Sequence, residues 1–159
     1  VSADTRSVVA RTDLVLLAPR EGTILLTWTT LQSLPADEKL AIGEPATVPA
    51  GQYAKEALEQ LGSWDSLQDR IVYGGDVARV LAYARRGEVA AAVVYATEVI
   101  GIEDVVVLDR AKGSWAPAPE VVVGLVATGR YGHQASQFLR FVGSDAGRDI
   151  LVAHGFGAP

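Results

Sequence analysis

At 159 residues the chain is long enough for one ordinary domain, or for one domain and part of another. Apolar residues make up 49% and charged residues 21%, which excludes a disordered segment, and a net charge of −5 with no basic run among aromatics argues against a general nucleic-acid binder. Cysteine is absent, so disulfides and thiolate metal sites are excluded, and no apolar run approaches the roughly 20 residues of a membrane span.

Residues 1–12 are polar around a small apolar centre and read as a connection. Asp13 to Pro19 is a continuous apolar run ended by proline, which suits a buried strand. Leu31-Gln-Ser-Leu34 suggests a helical turn ahead of Pro35, and Leu40 to Gly43 a strand. The turn Glu44-Pro-Ala-Thr-Val-Pro-Ala-Gly51 then delivers the chain to a helix whose apolar stripe is Ala54, Ala57, Leu58 and Leu61, with Gly62 as its left-handed stop. Trp64 to Asp69 reads as a short helix and Arg70 to Tyr73 as a short strand. Asp76 is the expected N-cap of the next helix, whose stripe is Val77, Val80, Leu81 and Ala84 and whose stop is Gly87. Val89 to Tyr95 and Val105 to Leu108 are strands, with a loop or helical turn at Ala96 to Gly101 between them. Lys112 to Pro119 is a proline-rich crossing, Glu120 to Ala127 a strand, and Tyr131 to Val142 and Ala146 to His154 the last two helices.

Strands alternating with helices predict an α/β fold on a largely parallel sheet. Ligands of such sheets gather at the carboxyl ends of strands, beside helix N-termini. Three places meet that description: Pro49-Ala50-Gly51 after one strand, Asp76-Val77 after another, and Tyr95 at a strand end. The first amides of a helix have no intrahelical acceptor and sit at the positive end of its dipole, so they can hold an anion without lysine or arginine. The plain alternative is a strand-to-helix turn with no ligand, and for Tyr95 simple packing at the sheet end.

Catalytic sets are missing. Gly143-Ser-Asp-Ala-Gly147 has its serine one place early for a nucleophile elbow, and Tyr73-Gly-Gly-Asp lacks the spacing and lysine of a P-loop. His133 and His154 stand apart from any second metal-ligand type and read as surface or capping residues. Asp65 and Asp69 read as a solvated helix face, and Glu44 as a turn residue. The chain reads as a non-enzyme, with no cofactor and no resident metal.

The string Ile42-Gly-Glu-Pro-Ala-Thr-Val-Pro-Ala-Gly-Gln-Tyr-Ala-Lys-Glu-Ala-Leu58, followed by Leu61-Gly-Ser-Trp-Asp65, resembles the molybdate-binding proteins of bacterial ABC importers. Asp76-Val77, Gly87-Glu88, Val93-Val-Tyr-Ala-Thr97 and Gly155-Phe156 follow in the order that the family's motifs take, so the resemblance runs from about Asp13 to Phe156. It implies an α/β, periplasmic-binding-protein-like (type II) receptor that closes on molybdate or tungstate and hands it to a membrane permease. It also implies an exported location, periplasmic or in the cell envelope. Carried over by motif, the oxyanion ligands are the Ala50 amide, the Val77 amide and the Tyr95 hydroxyl.

On this reading residues 13–112 form the second lobe. Residues 1–12 and 119–159 form the crossovers and the C-terminal part of the first lobe. The family's opening segment, with its two serine ligands, has no counterpart before Val1. Where the family often has aspartate this chain has Glu44 and Glu98, and where it tends to have a tyrosine this chain has Glu120. Self-association, or a second chain supplying the missing half, is the expected remedy for the uncovered first-lobe helices. An effector domain of a transcription regulator is the alternative of another class; it needs a helix-turn-helix that these residues do not contain.

Overall fold

Val15 to Ala18 are apolar on both sides of the strand they form, so that strand needs cover on both faces of its sheet. The computed structural model describes residues 5–126 and 128–159, and supplies that cover with helices. Its strands are β1 (Ser7–Arg11), β2 (Leu14–Pro19), β3 (Leu40–Gly43), β4 (Ile71–Gly74), β5 (Ala91–Tyr95), β6 (Val105–Arg110) and β7 (Glu120–Val123). Its helices are α1 (Pro49–Gln60), α2 (Trp64–Leu67), α3 (Val77–Arg85), α4 (Gly132–Val142) and α5 (Asp145–Ala153). The chain divides into two compact units, Asp13–Pro117, and Val1–Thr12 with Ala118–Pro159.

The larger unit is built on a five-stranded sheet of order β4-β3-β5-β2-β6. β3 pairs parallel with β4 on one side and β5 on the other, whereas β2 pairs antiparallel with both β5 and β6. The sheet is therefore mixed where a largely parallel one was expected. Four strands share a direction and β2 alone is reversed, a placement that the order of strands in sequence does not disclose. Because β2 runs backwards, Leu14 lies opposite Tyr95, and Arg110 pairs with Val15. The chain thus enters and leaves this unit at the edge where β3, β4 and β5 end.

Alternation along the strands separates two cores. Leu14, Leu16, Leu40, Ile42, Ala91 and Val93 face α1, where they meet Ala54, Ala57 and Leu58 and the fully buried Trp28. Val15, Leu17, Ala41, Ala92 and Val94 face the other way, onto Val80, Leu81 and Ala84 of α3. The handedness rule accounts for the division: the crossover from β3 to β4 and the return from β4 past β3 to β5 run in opposite directions, so right-handed connections place α1 and α3 on opposite faces. Gly62 and Gly87 stop α1 and α3 in the left-handed conformation, at φ 68° and 67°.

In the smaller unit β1 and β7 form an antiparallel ribbon, closed by an Arg11–Glu120 ion pair at 3.0 Å. Residues 7–11 are thus a strand where the sequence reads as a connection, because the ribbon depends on a partner far along the chain. The expected strand from Glu120 ends at Val123, and its proposed limit, Ala127, lies outside the described residues, as do residues 1–4. α4 leaves Tyr131 beside it 65% exposed, and its own Phe138 and Phe141 65% and 47% exposed.

Candidate functional site at the carboxyl edge of the larger unit

Each of the three residues singled out from the sequence stands at the carboxyl edge of β3, β4 and β5. β3 ends at Gly43, and the turn after it is tied by Thr47 and Val48 N–H groups donating to the Glu44 carbonyl at 3.0 and 2.8 Å. Glu44 itself donates its N–H to the Gly74 carbonyl at 2.9 Å, so its backbone serves the turn and locks it to β4. Val48 is the N-cap of α1 in extended conformation, and Pro49 takes the first helical position, where its missing N–H costs nothing. Ala50 follows, 1% exposed. The Gly51 and Gln52 N–H groups donate to the Val48 carbonyl at 2.9 and 3.1 Å, but the Ala50 N–H has no acceptor among the described residues.

β4 leads to the second helix start. Asp76 caps α3 in extended conformation (φ −158°, ψ 171°), its carboxylate accepting the Arg79 N–H at 2.7 Å. Val77 is the first helical residue, partly buried between the two cores, and its N–H also lacks an acceptor among the described residues. α1 and α3 lie on opposite faces, so the two free amides reach the edge from either side of the sheet.

Tyr95 is the last residue of β5, half-buried against the α1-side core. Burial first, then the Tyr53 phenol and the Glu98 carboxylate, push its hydroxyl above the ordinary 10.0, so at neutral pH it is a neutral donor. No hydrogen bond engages that hydroxyl among the described residues. Tyr53 was not singled out from the sequence. It stands one turn beyond Ala50 on α1, and the i, i+3 spacing from Ala50 is the signal that could have found it.

The edge therefore gathers two backbone donors at helix N-termini and one neutral phenol. Such a set is suited to holding an anion through hydrogen bonds and dipoles. It offers no nucleophile–base pair, and among the described residues no group of three histidine, aspartate or glutamate side chains is placed to hold a metal ion. The other sequence candidates lie elsewhere. His154 caps α5, its Nδ1 2.8 Å from the Ile150 carbonyl, while His133, Asp65 and Asp69 are exposed.

The profile of the bacterial extracellular solute-binding proteins matches residues 1–157. The chain belongs to that family. It is 36% identical over 146 residues to a Bacillus subtilis protein named as an ABC transporter substrate-binding lipoprotein, YvgL, covering 92% of this chain and 55% of that protein. It is 33% identical over 159 residues to the molybdate-binding protein ModA of Haemophilus influenzae, covering 98% of this chain and 62% of ModA. It thus spans little more than half the length of these relatives. The solved periplasmic molybdate-binding protein of Azotobacter vinelandii shares the fold, with a TM-score of 0.82 at 19% identity over 99% of this chain and 69% of that one. The family is one of solute-binding proteins and not a class of enzymes, and no described helix is long and apolar enough to cross a membrane.

Proposed function

We propose that this solute-binding chain captures molybdate or tungstate and delivers it to the membrane permease of an ABC importer, as an exported protein, without covalent chemistry. The ligands within this chain are the Ala50 N–H, the Val77 N–H and the Tyr95 hydroxyl. One observation carries the reading: three uncharged donors, none used internally among the described residues, stand at one edge of the sheet, two at helix N-termini and one at a strand end. A tetrahedral dianion matches such a set because its charge spreads over oxygens that each accept hydrogen bonds, and helix dipoles add attraction without a counter-charge. The likeness to ModA, named as a molybdate-binding protein, points the same way.

Further donors come from the rest of a two-lobed receptor, and this chain spans 62% of ModA. Affinity is therefore to be measured on a chain carrying these residues at the full length of its relatives. In the 159-residue chain itself, we propose that the uncovered side of the smaller unit is met by self-association or by a second chain.

Selectivity follows from size. Sulfate is smaller than molybdate and leaves some donors unmet, at about 1–3 kcal/mol per buried group, which is roughly ten- to hundredfold in affinity. Titration calorimetry should place molybdate and tungstate together, well ahead of sulfate and phosphate. Equal affinity for sulfate contradicts the assignment.

A further inference from the structure

We propose that Gly43 and Gly51 are positioning residues for this site: lacking side chains, they let the first turn of α1 settle onto the end of β3, which sets where the Ala50 N–H stands. The inference rests on reading this edge as an oxyanion site and extends it to residues that touch no ligand.

A glycine inside a strand or a helix is destabilising relative to alanine, so its presence asks for a reason. Conformation is not the reason, because neither Gly43 nor Gly51 has a positive φ. Contact is. A Cβ on Gly51 would be driven into the carbonyl group of Gly43, and that carbonyl belongs to a fully buried strand with little freedom to retreat. A Cβ on Gly43 would lie 2.5 Å from Cγ1 and 2.8 Å from Cβ of Val48, the N-cap of α1. The helix start and the strand end are therefore in backbone-to-backbone contact, with Ala50 directly beside it.

The arrangement recurs one strand over. A Cβ on Gly74, at the end of β4, would lie 2.7 Å from Cγ2 of Val80, in the first turns of α3. Gly43 and Gly74 are register partners in the β3–β4 pair. Two neighbouring strands thus end in side-by-side glycines, each with the following helix resting on it. An added methyl at either contact between β3 and α1 displaces the helix start from the edge. An N–H···O bond is best near 2.9–3.0 Å and weakens steeply as its geometry degrades, so a small displacement is enough to lose it.

The test is molybdate titration calorimetry on the full-length form, with thermal melts of every variant. Gly43→Ala, which strikes the Val48 side chain, should stay folded and bind roughly ten- to hundredfold more weakly, and Gly51→Ala, which strikes backbone, should lose more of both melting temperature and affinity. Val48→Gly, acceptable at an N-cap, removes the atoms that Gly43→Ala strikes, so the double variant should regain at least about half of the lost binding on a logarithmic scale. Leu58→Ala is the control: it creates a cavity at the buried far end of α1, so its melting temperature should fall while affinity stays within about threefold of the parent.

Wild-type protein that ignores molybdate overturns the oxyanion reading, and this inference with it. Wild type that binds while both glycine variants bind equally well overturns the inference alone. So does an affinity loss in Leu58→Ala as large as theirs, because the glycines would then act only through stability. Should Gly51→Ala fail to fold, the pair at positions 43 and 48 decides, and no recovery on adding Val48→Gly overturns the proposal.

Discussion

Tyr95 is the one proposed ligand that acts through a side chain, and its proton is what it contributes. Burial, reinforced by Tyr53 and Glu98, raises its folded value above 10.0, which means that folding favours the neutral phenol. The stabilisation linked to that preference is complete below pH 10.0 and is lost as pH rises through the raised value. Molybdate affinity should accordingly show no Tyr95 step between pH 7 and pH 9, and should drop above pH 10, where a phenolate would no longer donate and would repel a dianion. Tyr95→Phe should bind about tenfold more weakly at neutral pH and lose the alkaline step. Calorimetry across that range checks both statements, and an alkaline step that survives Tyr95→Phe assigns it to another group.

At the scale of elements, the start of α3 invites a proline. Asp76 already holds the extended conformation that a following proline requires, and Val77 occupies the helical position that proline suits best. Val77→Pro should therefore fold with a modest loss of packing while deleting one N–H. A hydrogen bond to a charged group is worth about 1.5–3 kcal/mol, so molybdate affinity should fall roughly ten- to hundredfold against Val77→Ala, which keeps the amide. Equal binding by the two variants removes Val77 from the ligand set.

The helix starts were legible in the sequence because they are local matters: Asp76 caps within its own turn, and Gly62 and Gly87 stop their helices by their own φ. The positions of Ala50, Val77 and Tyr95 at strand ends could be read for the same reason. Pairing was not legible. Nothing near Ser7–Arg11 announces β7 as its partner, and nothing in β2 announces its reversal. Tyr53 beside Tyr95, and Gly51 against Gly43, likewise become neighbours only when α1 is laid on the sheet.

At the scale of the whole molecule, the two units differ in how well they are covered. The larger unit buries both faces of its sheet, while the smaller has a two-stranded ribbon, a form that is marginal by itself, and leaves Val126, Tyr131 and Phe138 exposed together around β7 and α4. The 159-residue chain should self-associate, with a sedimentation coefficient that rises with protein concentration between about 1 and 100 μM, the range in which a micromolar association is titrated. Phe138→Ser should weaken that rise. A monodisperse monomer that binds molybdate tightly contradicts the expectation.

The unpaired N–H groups of Ala50 and Val77 also bear on how such a site passes through generations. Every amino acid except proline carries that N–H, so nearly any substitution at position 50 or 77 leaves the donor itself in place. Inherited change therefore reaches the ligand indirectly, through whatever shifts the backbone. Selection for binding then falls on the small residues beneath the helices and on Tyr95, which donates through its side chain; buried Ala50 is held by packing, and only the partly exposed Val77 is free to drift in side-chain identity.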